Sequence, residues 1–352
     1  MLVMRVPSAR GDYRVELTRR GPLGRLDADG PRIFLIDREV WRLHGRGALK
    51  RLTAERRLVL PATEHLKTLA GVGRMAAAVL GMNLTRRTRI VAIGGGTLQD
   101  AAGFLASIVH RGLSWDFVPT TLLAQADSCI GGKTSINHHG FKNVLGTFHP
   151  PRKIVLWPGF LTTLAGDDFL SGVGEVAKLH LLAGAQARRL WERSRLEVLA
   201  RDAAATEKLT WSSLAIKRRY LVQDEFDAGV RQYLNFGHCF GHAIEAATAF
   251  RVPHGQAVTL GMELAGYLGV ARGLMREEIR QRVFERYLAG VRTTRVRLTP
   301  ALVTHVIKAM GRDKKRIGKG LAVIVLDNAL DPIKLTDVTE REARAAFARW
   351  RQ

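Results

Sequence analysis

The feature that most constrains this chain is the alternation of short apolar runs with helix-length segments through its first half. Arg32-Ile-Phe-Leu-Ile-Asp37, Arg57-Leu-Val-Leu-Pro61, Arg89-Ile-Val-Ala-Ile93 and Ser114-Trp-Asp-Phe-Val118 are each too short for a helix and read as buried strands. Leu69–Leu80, rich in Ala, Met and Leu, and the amphipathic Thr97–Val109 fall between them with helical period. Strands and helices in turn predict a parallel sheet with helices packed on it. Residues 1–30 are polar, Gly- and Arg-rich and poorly periodic, and read as a strand or two with loose ends.

From Phe169 onward the pattern changes. Gly172–Leu182, Ala187–Leu199, Thr206–Asp224, Gly241–Thr248, Ala257–Ala271, Arg276–Leu288 and Pro300–Met310 all have helical period, and Leu321–Leu326 is the β exception. The expectation is an α/β, Rossmann-like N-terminal domain over residues 1–165 and a mainly α-helical C-terminal domain over 166–352. A chain of 352 residues has room for both. No window approaches the ~18 unbroken apolar residues of a membrane span. The N-terminus meets charge too soon for a secretory leader, and two cysteines, Cys129 and Cys239, cannot build a disulfide framework. A cytoplasmic protein without membrane contact is expected. Lys and Arg number 55 against 32 Asp and Glu, a formal net charge of +23. The cations are scattered, as in Arg86-Arg87, Arg188-Arg189 and Arg218-Arg219, with no basic tail or aromatic-interleaved stripe. That distribution disfavours nucleic acid and suits attraction of a small anionic metabolite.

Three segments carry chemistry. Gly94-Gly95-Gly96 closes a strand and opens a helix, where a pyrophosphate can rest on backbone N–H groups; the plain alternative is a tight turn. The spacing is not G-x-G-x-x-G, which disfavours an ordinary Rossmann dehydrogenase. Pro119 to Gly146 mixes Asp127, Lys133, Lys142 and Asn143 with four glycines, as a loop holding a phosphorylated molecule would. His238 and His242 share a helical face four residues apart, and His254 sits in a Pro/Gly turn. With Glu175, three residues before Lys178, they could bind a divalent metal, although any one histidine could equally be a cap or core residue.

These residues resemble 3-dehydroquinate synthase and the wider sugar phosphate cyclase family. The likeness runs in order along residues 30–330: Glu64-x-x-Lys67, Gly94-Gly-Gly-x-x-x-Asp100, His110-Arg111-Gly112, Pro119-Thr-Thr-Leu-Leu-Ala-Gln, Asp127 to Lys133, Lys142-Asn143, Glu175-x-x-Lys178, Asn235-x-x-His238-x-x-x-His242 and His254-Gly. The resemblance implies NAD in the N-terminal domain, at Asp37, Glu64, Lys67, Gly95, Gly96, Asp100, Thr120, Thr121, Asp127, Lys133, Lys142 and Thr163. It implies a divalent metal, zinc or cobalt, at the domain interface on Glu175, His238 and His254, with His242 contacting substrate phosphate instead. Lys133, Asn143, Asn235 and a late lysine, Lys314, match phosphate contacts. Arg111 matches an arginine supplied across the interface of a homodimer. Asp127, Lys133, Lys178 and His242 take the catalytic positions. The implied reaction is a redox loop in which NAD is consumed and restored around phosphate elimination, ring opening and an intramolecular aldol closure.

Lys217 and Arg231 occupy the places where the family reads a substrate carboxylate. An uncompensated buried cation is costly, so they favour 3-deoxy-arabino-heptulosonate 7-phosphate over the neutral sedoheptulose 7-phosphate of paralogous cyclases. Three departures complicate that choice. The chain has His254-Gly-Gln256 where His-Gly-Glu is usual, Asp168 where glutamate is common, and no acidic residue in Leu179 to Gly184. The nearest rival is a glycerol-dehydrogenase-like polyol dehydrogenase, which lacks a Gly-Gly-Lys-Thr segment. A basic nucleic-acid-binding module is the rival of a different class.

Overall fold

The computed structural model describes residues 1–26, 30–139, 141–292, 296, 299–311 and 320–350. The backbone divides into two compact units. Unit 1 comprises Met1–Ala165 with Lys217–Phe226, and unit 2 comprises Gly166–Ile216 with Asp227–Gln352.

Unit 1 is built on a seven-stranded sheet. Its strands are β1 (Leu2–Val6), β2 (Tyr13–Leu17), β3 (Arg32–Asp37), β4 (Arg57–Leu60), β5 (Arg89–Gly94) and β6 (Trp115–Pro119), joined after the hairpin described below by β9 (Lys153–Leu156). Their order is β1-β2-β9-β6-β5-β3-β4, with β1–β2 antiparallel and the other pairings parallel. The helices α1 (Arg38–His44), α2 (Leu69–Leu80) and α3 (Gly96–Ile108) follow β3, β4 and β5. Parallel strands are covered on both faces, which explains the unbroken apolar runs. Phe34, Ile36, Val91, Ile93, Val118 and Val155 join Leu49, Leu52 and Phe160 in one core cluster. The alternate residues Ile33, Leu35, Ile90, Ala92 and Phe117 are buried as well.

The glycine- and lysine-rich stretch corrects the loop expectation. Its second half is a β-hairpin, β7 (Lys133–His138) and β8 (Phe141–Phe148), paired antiparallel with a register shift between Ile136 and His138, and Ala124–Ser128 in its first half is π-helical. Thr, Ile, Val and Phe at every second or third position supply the strand character, which the glycines and charges obscured. Gly131 and Gly132, at φ 109° and 64°, form the turn that enters the hairpin.

Unit 2 holds α4 (Gly166–Leu182), α5 (Ala185–Leu199), the first part of α6 (Ala203–Gln223), α7 (His238–Ala247), α8 (His254–Ala271), α9 (Glu277–Gln281), α10 (Pro300–Met310) and α11 (Glu340–Arg349). The expected β excursion is the antiparallel pair β10 (Leu321–Leu326) and β11 (Pro332–Val338). Arg276–Leu288 is not one regular helix: α9 gives way to a π-helical stretch, Arg282–Tyr287. α8 is apolar nearly all round and forms the buried centre of the unit. Its first turn packs so closely on α4 that a Cβ on Gly255 would stand 1.8 Å from the Ser171 carbonyl oxygen. Only glycine fits there. Among the described residues, no helix is long and apolar enough to cross a membrane.

Candidate active site

In unit 1 the carboxyl ends of three neighbouring strands meet. β3 ends at Asp37, β5 at the glycine triplet and β6 at Pro119, followed by Thr120 and Thr121. Open α/β sheets bind ligands outside the carboxyl ends of their strands. Thr120 N donates to Gly94 O at 3.0 Å, locking β6 to β5 where the chain turns. Gly95 caps α3 without any side-chain hydrogen bond, so the first amides of a 13-residue helix are left to backbone and solvent. A Cβ on Gly95 would come within 3.0 Å of the Thr121 methyl. This bare helix start behind glycines suits a pyrophosphate. Asp37 Oδ1 accepts from Glu39 N and caps α1. Burial raises its carboxyl above the usual range, against the Glu39 backbone hydrogen bond that lowers it. Thr163 Oγ1 lies 2.8 Å from His44 Nε2.

A polar network lies beside α3. Lys67 Nζ donates to Asp100 Oδ2 at 2.7 Å and to Asn143 Oδ1 at 2.6 Å, bringing three expected site residues together. Asn137 Nδ2 donates to Glu64 Oε2 at 2.6 Å, while Asn137 Oδ1 accepts from Asn143 N at 3.1 Å. Ser135 Oγ donates to Asn143 Oδ1 at 3.0 Å, and Lys142 Nζ stands 3.9 Å from Glu64. Asn143 itself is held at φ 53°, the left-handed region that asparagine tolerates better than most residues. Burial raises the Asp100 carboxyl, and the Lys67 charge acts against it. Asn137 and Ser135 were not singled out from the sequence. Their positions two apart on one face of β7 gave a signal only once that strand was known.

Lys217 is nearly buried, and its Nζ donates to both Oδ1 and the backbone O of Asp127, each at 2.7 Å. The cation is therefore already compensated, and an argument from an unpaired buried charge does not apply to it. Lys133 opens β7 and is exposed. Arg111 is exposed in a turn where His110, Arg111 and Gly112 have φ of 51°, 65° and 121°. Two successive non-glycine residues in this region store strain, a common mark of functional segments.

Unit 2 assembles the histidines. α7 presents His238, His242 and Glu245 at helical spacing, and His254 opens α8. One ring nitrogen from each of His238, His242 and His254 lies within 4.8 Å of the others. Glu175, from the middle of α4, reaches the same place: Oε1 stands 3.8 Å from His238 Nε2 and 3.5 Å from His254 Nε2. The carboxylate is wholly buried, and neither oxygen makes a hydrogen bond. Lys178 Nζ lies 2.5 Å from Oε2, so the two form an ion pair without hydrogen-bond alignment. An orphaned buried carboxylate beside three imidazoles is a donor set suited to a zinc-type cation. Burial works against a charged His254, but the hydrogen-bonded Glu245 carboxylate and the nearby Glu175 carboxylate outweigh it and lift the ring to about 10. Glu245 was missed as a site residue, although it falls three residues after His242 on the same helical face.

Arg231 is buried and Asn235 Nδ2 donates to Gln232 O, both in the 3-10 turn Val230–Asn235 before α7. Lys314 lies outside the described residues. Gln256 is fully buried and its amide donates to Val291 O at 2.8 Å and Leu170 O at 3.3 Å. A carboxylate could make neither bond, so this departure from His-Gly-Glu has a local structural reason.

Comparisons with known proteins identify the family. The family descriptions "3-dehydroquinate synthase N-terminal" and "3-dehydroquinate synthase C-terminal" match residues 57–171 and 172–316. The chain is similar to 3-dehydroquinate synthase of Paracoccus denitrificans, with 37% identity over 294 residues covering 80% of each chain. It is 31% identical to that of Dichelobacter nodosus over 337 residues, covering 95% of this chain and 91% of the other. Among solved structures it resembles a 2-epi-5-epi-valiolone synthase from Streptomyces hygroscopicus bound to NAD+ and Zn2+, at TM-score 0.85 and 27% identity over 98% of each chain. An iron-containing alcohol dehydrogenase shares the fold alone, at TM-score 0.66 and 17% identity over 95% of each chain. With both halves of the chain matched and the fold shared from end to end, the chain belongs to the 3-dehydroquinate synthase family.

Proposed function

We propose that this protein is an NAD- and metal-dependent sugar phosphate cyclase of 3-dehydroquinate synthase type, a carbon–oxygen lyase that eliminates phosphate and closes a carbocycle. The observation that carries the reading is the buried Glu175 carboxylate, without a hydrogen bond and facing His238 and His254. That set of one carboxylate and two imidazoles is the one expected of a catalytic divalent-metal site with room for substrate hydroxyls. A zinc-type cation there would act as a Lewis acid and make a bound alcohol easier to deprotonate.

The chain's own residues take the remaining tasks. Lys178, paired with Glu175, would orient a substrate hydroxyl and stabilise negative charge developing on it. His242 has its ring beside His238 and His254, at centroid distances of 5.1 and 5.6 Å, and would hold substrate phosphate there. Arg231 and Asn235 would add contacts to the substrate's anionic groups. In unit 1, Gly95, Gly96, Thr120 and Thr121 would hold the NAD pyrophosphate against α3. Asp37, Glu64, Lys67, Asp100, Lys142 and Thr163 would hold the rest of the nucleotide, with Lys133 and Asn143 at the phosphate of the substrate. Asp127 is kept in one orientation by Lys217. Arg111, displayed by its left-handed turn, is proposed to serve a second copy of the chain in a homodimer.

The substrate favoured is 3-deoxy-arabino-heptulosonate 7-phosphate, on the similarity to 3-dehydroquinate synthases along most of the chain. The test offers this compound and sedoheptulose 7-phosphate side by side with NAD and zinc, and identifies products by NMR. Conversion of the carboxylated sugar to dehydroquinate supports the reading. Exclusive turnover of the neutral sugar would move the protein to a paralogous cyclase.

A further inference from the structure

We infer that Glu245 sets which nitrogen of His254 is the donor and so tunes the affinity of the metal site, an inference that rests on the metal assignment above. Glu245 Oε2 lies 3.0 Å from His254 Nδ1. An ionised carboxylate only accepts hydrogen bonds, so Nδ1 holds its proton against Glu245, and Nε2 is the nitrogen that would give up its proton and offer a lone pair to a metal ion. Nε2 is the atom 3.5 Å from Glu175 Oε1. The nitrogen made available is therefore the one turned toward the buried carboxylate.

His238 is oriented by a milder device. Its Nδ1 lies 3.2 Å from the Phe236 carbonyl oxygen, and its Nε2 faces Glu175 at 3.8 Å. Both imidazoles thus present the same nitrogen, one set by a neutral carbonyl and the other by a carboxylate. The charged acceptor makes its imidazole the more basic donor.

The local fold holds Glu245 in register with His254. After α7 the chain reverses through Ala249 and Phe250, both left-handed at φ 50° and 60°. Phe250 N donates to the Glu245 carbonyl at 2.8 Å, and Thr248 Oγ1 lies 3.2 Å from the same oxygen. This reversal returns the chain so that the first residue of α8 meets the last turns of α7. The Glu245 side chain is almost wholly buried, which shields the bond from water.

The test measures zinc affinity of the full chain by competition with a chromophoric chelator, together with the visible absorption of the cobalt-loaded protein. Glu245→Ala should weaken zinc binding by ~10–100-fold, and the isosteric Glu245→Gln by roughly tenfold, with an altered cobalt spectrum in both. Glu245→Gln decides the matter if the alanine variant does not fold. Zinc affinity within about twofold of wild type in the glutamine variant, even with lowered thermal stability, would make Glu245 a strut between helices and overturn the inference. Glu175→Gln is the control. Should it also bind zinc as tightly as wild type, the metal assignment falls and this inference with it.

Discussion

Replacing Lys67 by methionine removes the cation from the best-defined polar network of unit 1. Lys67 is buried and donates to Asp100 Oδ2 at 2.7 Å and Asn143 Oδ1 at 2.6 Å. Breaking one partner of a fully buried pair costs about 3–5 kcal/mol, because the other charge is left uncompensated. The Asp100 side chain keeps 23% of its accessible surface, so water still reaches it and the loss should be smaller. About 2–3 kcal/mol is expected at pH 8, just below that range. The pH dependence has a definite sign. Burial already raises the Asp100 carboxyl and Lys67 opposes that, so the variant raises it further. A folded state that binds the proton more tightly loses stability as pH rises from the unfolded carboxylate value through the folded one. The deficit should therefore shrink toward pH 5. Lys67→Met with Asp100→Asn should recover all but about 1 kcal/mol, since the stranded charge is gone. Urea unfolding at both pH values measures this. A single-variant loss below about 1 kcal/mol, or a double variant no more stable than the single, would refute the reasoning. NAD affinity should fall in the single variant, because Asp100 and Asn143 lose their common anchor.

Three further outcomes follow from unit 2. Glu175→Gln, His238→Ala and His254→Ala should each lose metal in elemental analysis of the purified protein while retaining NAD binding by fluorescence titration; full metal in two of them would remove the ligand assignment. Gln256→Glu strips the donors from the Leu170 and Val291 carbonyls. It should cost about 2–4 kcal/mol in urea unfolding, and a loss under ~1 kcal/mol would show that the site tolerates the carboxylate. His180 is buried in α4, its Nδ1 against Val176 O and its Nε2 against Ser212 Oγ. Burial lowers it to about 4. A lowered basic group gives its full contribution above the unfolded value near 6.5 and loses it as pH falls toward 4. The loss amounts to about 3 kcal/mol at ~1.4 kcal/mol per unit. Acid unfolding followed by circular dichroism should show this loss eased in His180→Gln; an unchanged acid transition would contradict it.

Much of the fold was legible because its signals are local. The runs at Arg32, Arg89 and Ser114 are buried parallel strands with near-continuous apolar character, and the run at Arg57 is a half-buried strand at the sheet edge. Leu69–Leu80 and Pro300–Met310 have the expected bounds, with Thr68 and Thr299 as caps. The β7–β8 hairpin escaped because a short half-exposed strand rich in Gly, Asn and Lys has weak periodicity, and its pairing is set by the partner strand. The site was legible where residues lie close along the chain, as Glu175 with Lys178 and His238 with His242 do. What the sequence hid are contacts made at long range. Lys67 with Asn143, Lys217 with Asp127, and Asn137 with Glu64 are each more than 70 positions apart, and no spacing rule connects them.

The central claim is a cyclase that borrows and returns its hydride. The direct measurement follows inorganic phosphate and NADH absorbance together in one reaction, with 3-deoxy-arabino-heptulosonate 7-phosphate, NAD and zinc. The account predicts steady phosphate release with no net accumulation of NADH over many turnovers. NADH formed in step with substrate consumed, without phosphate release, would contradict it and make the protein a polyol dehydrogenase on the same fold.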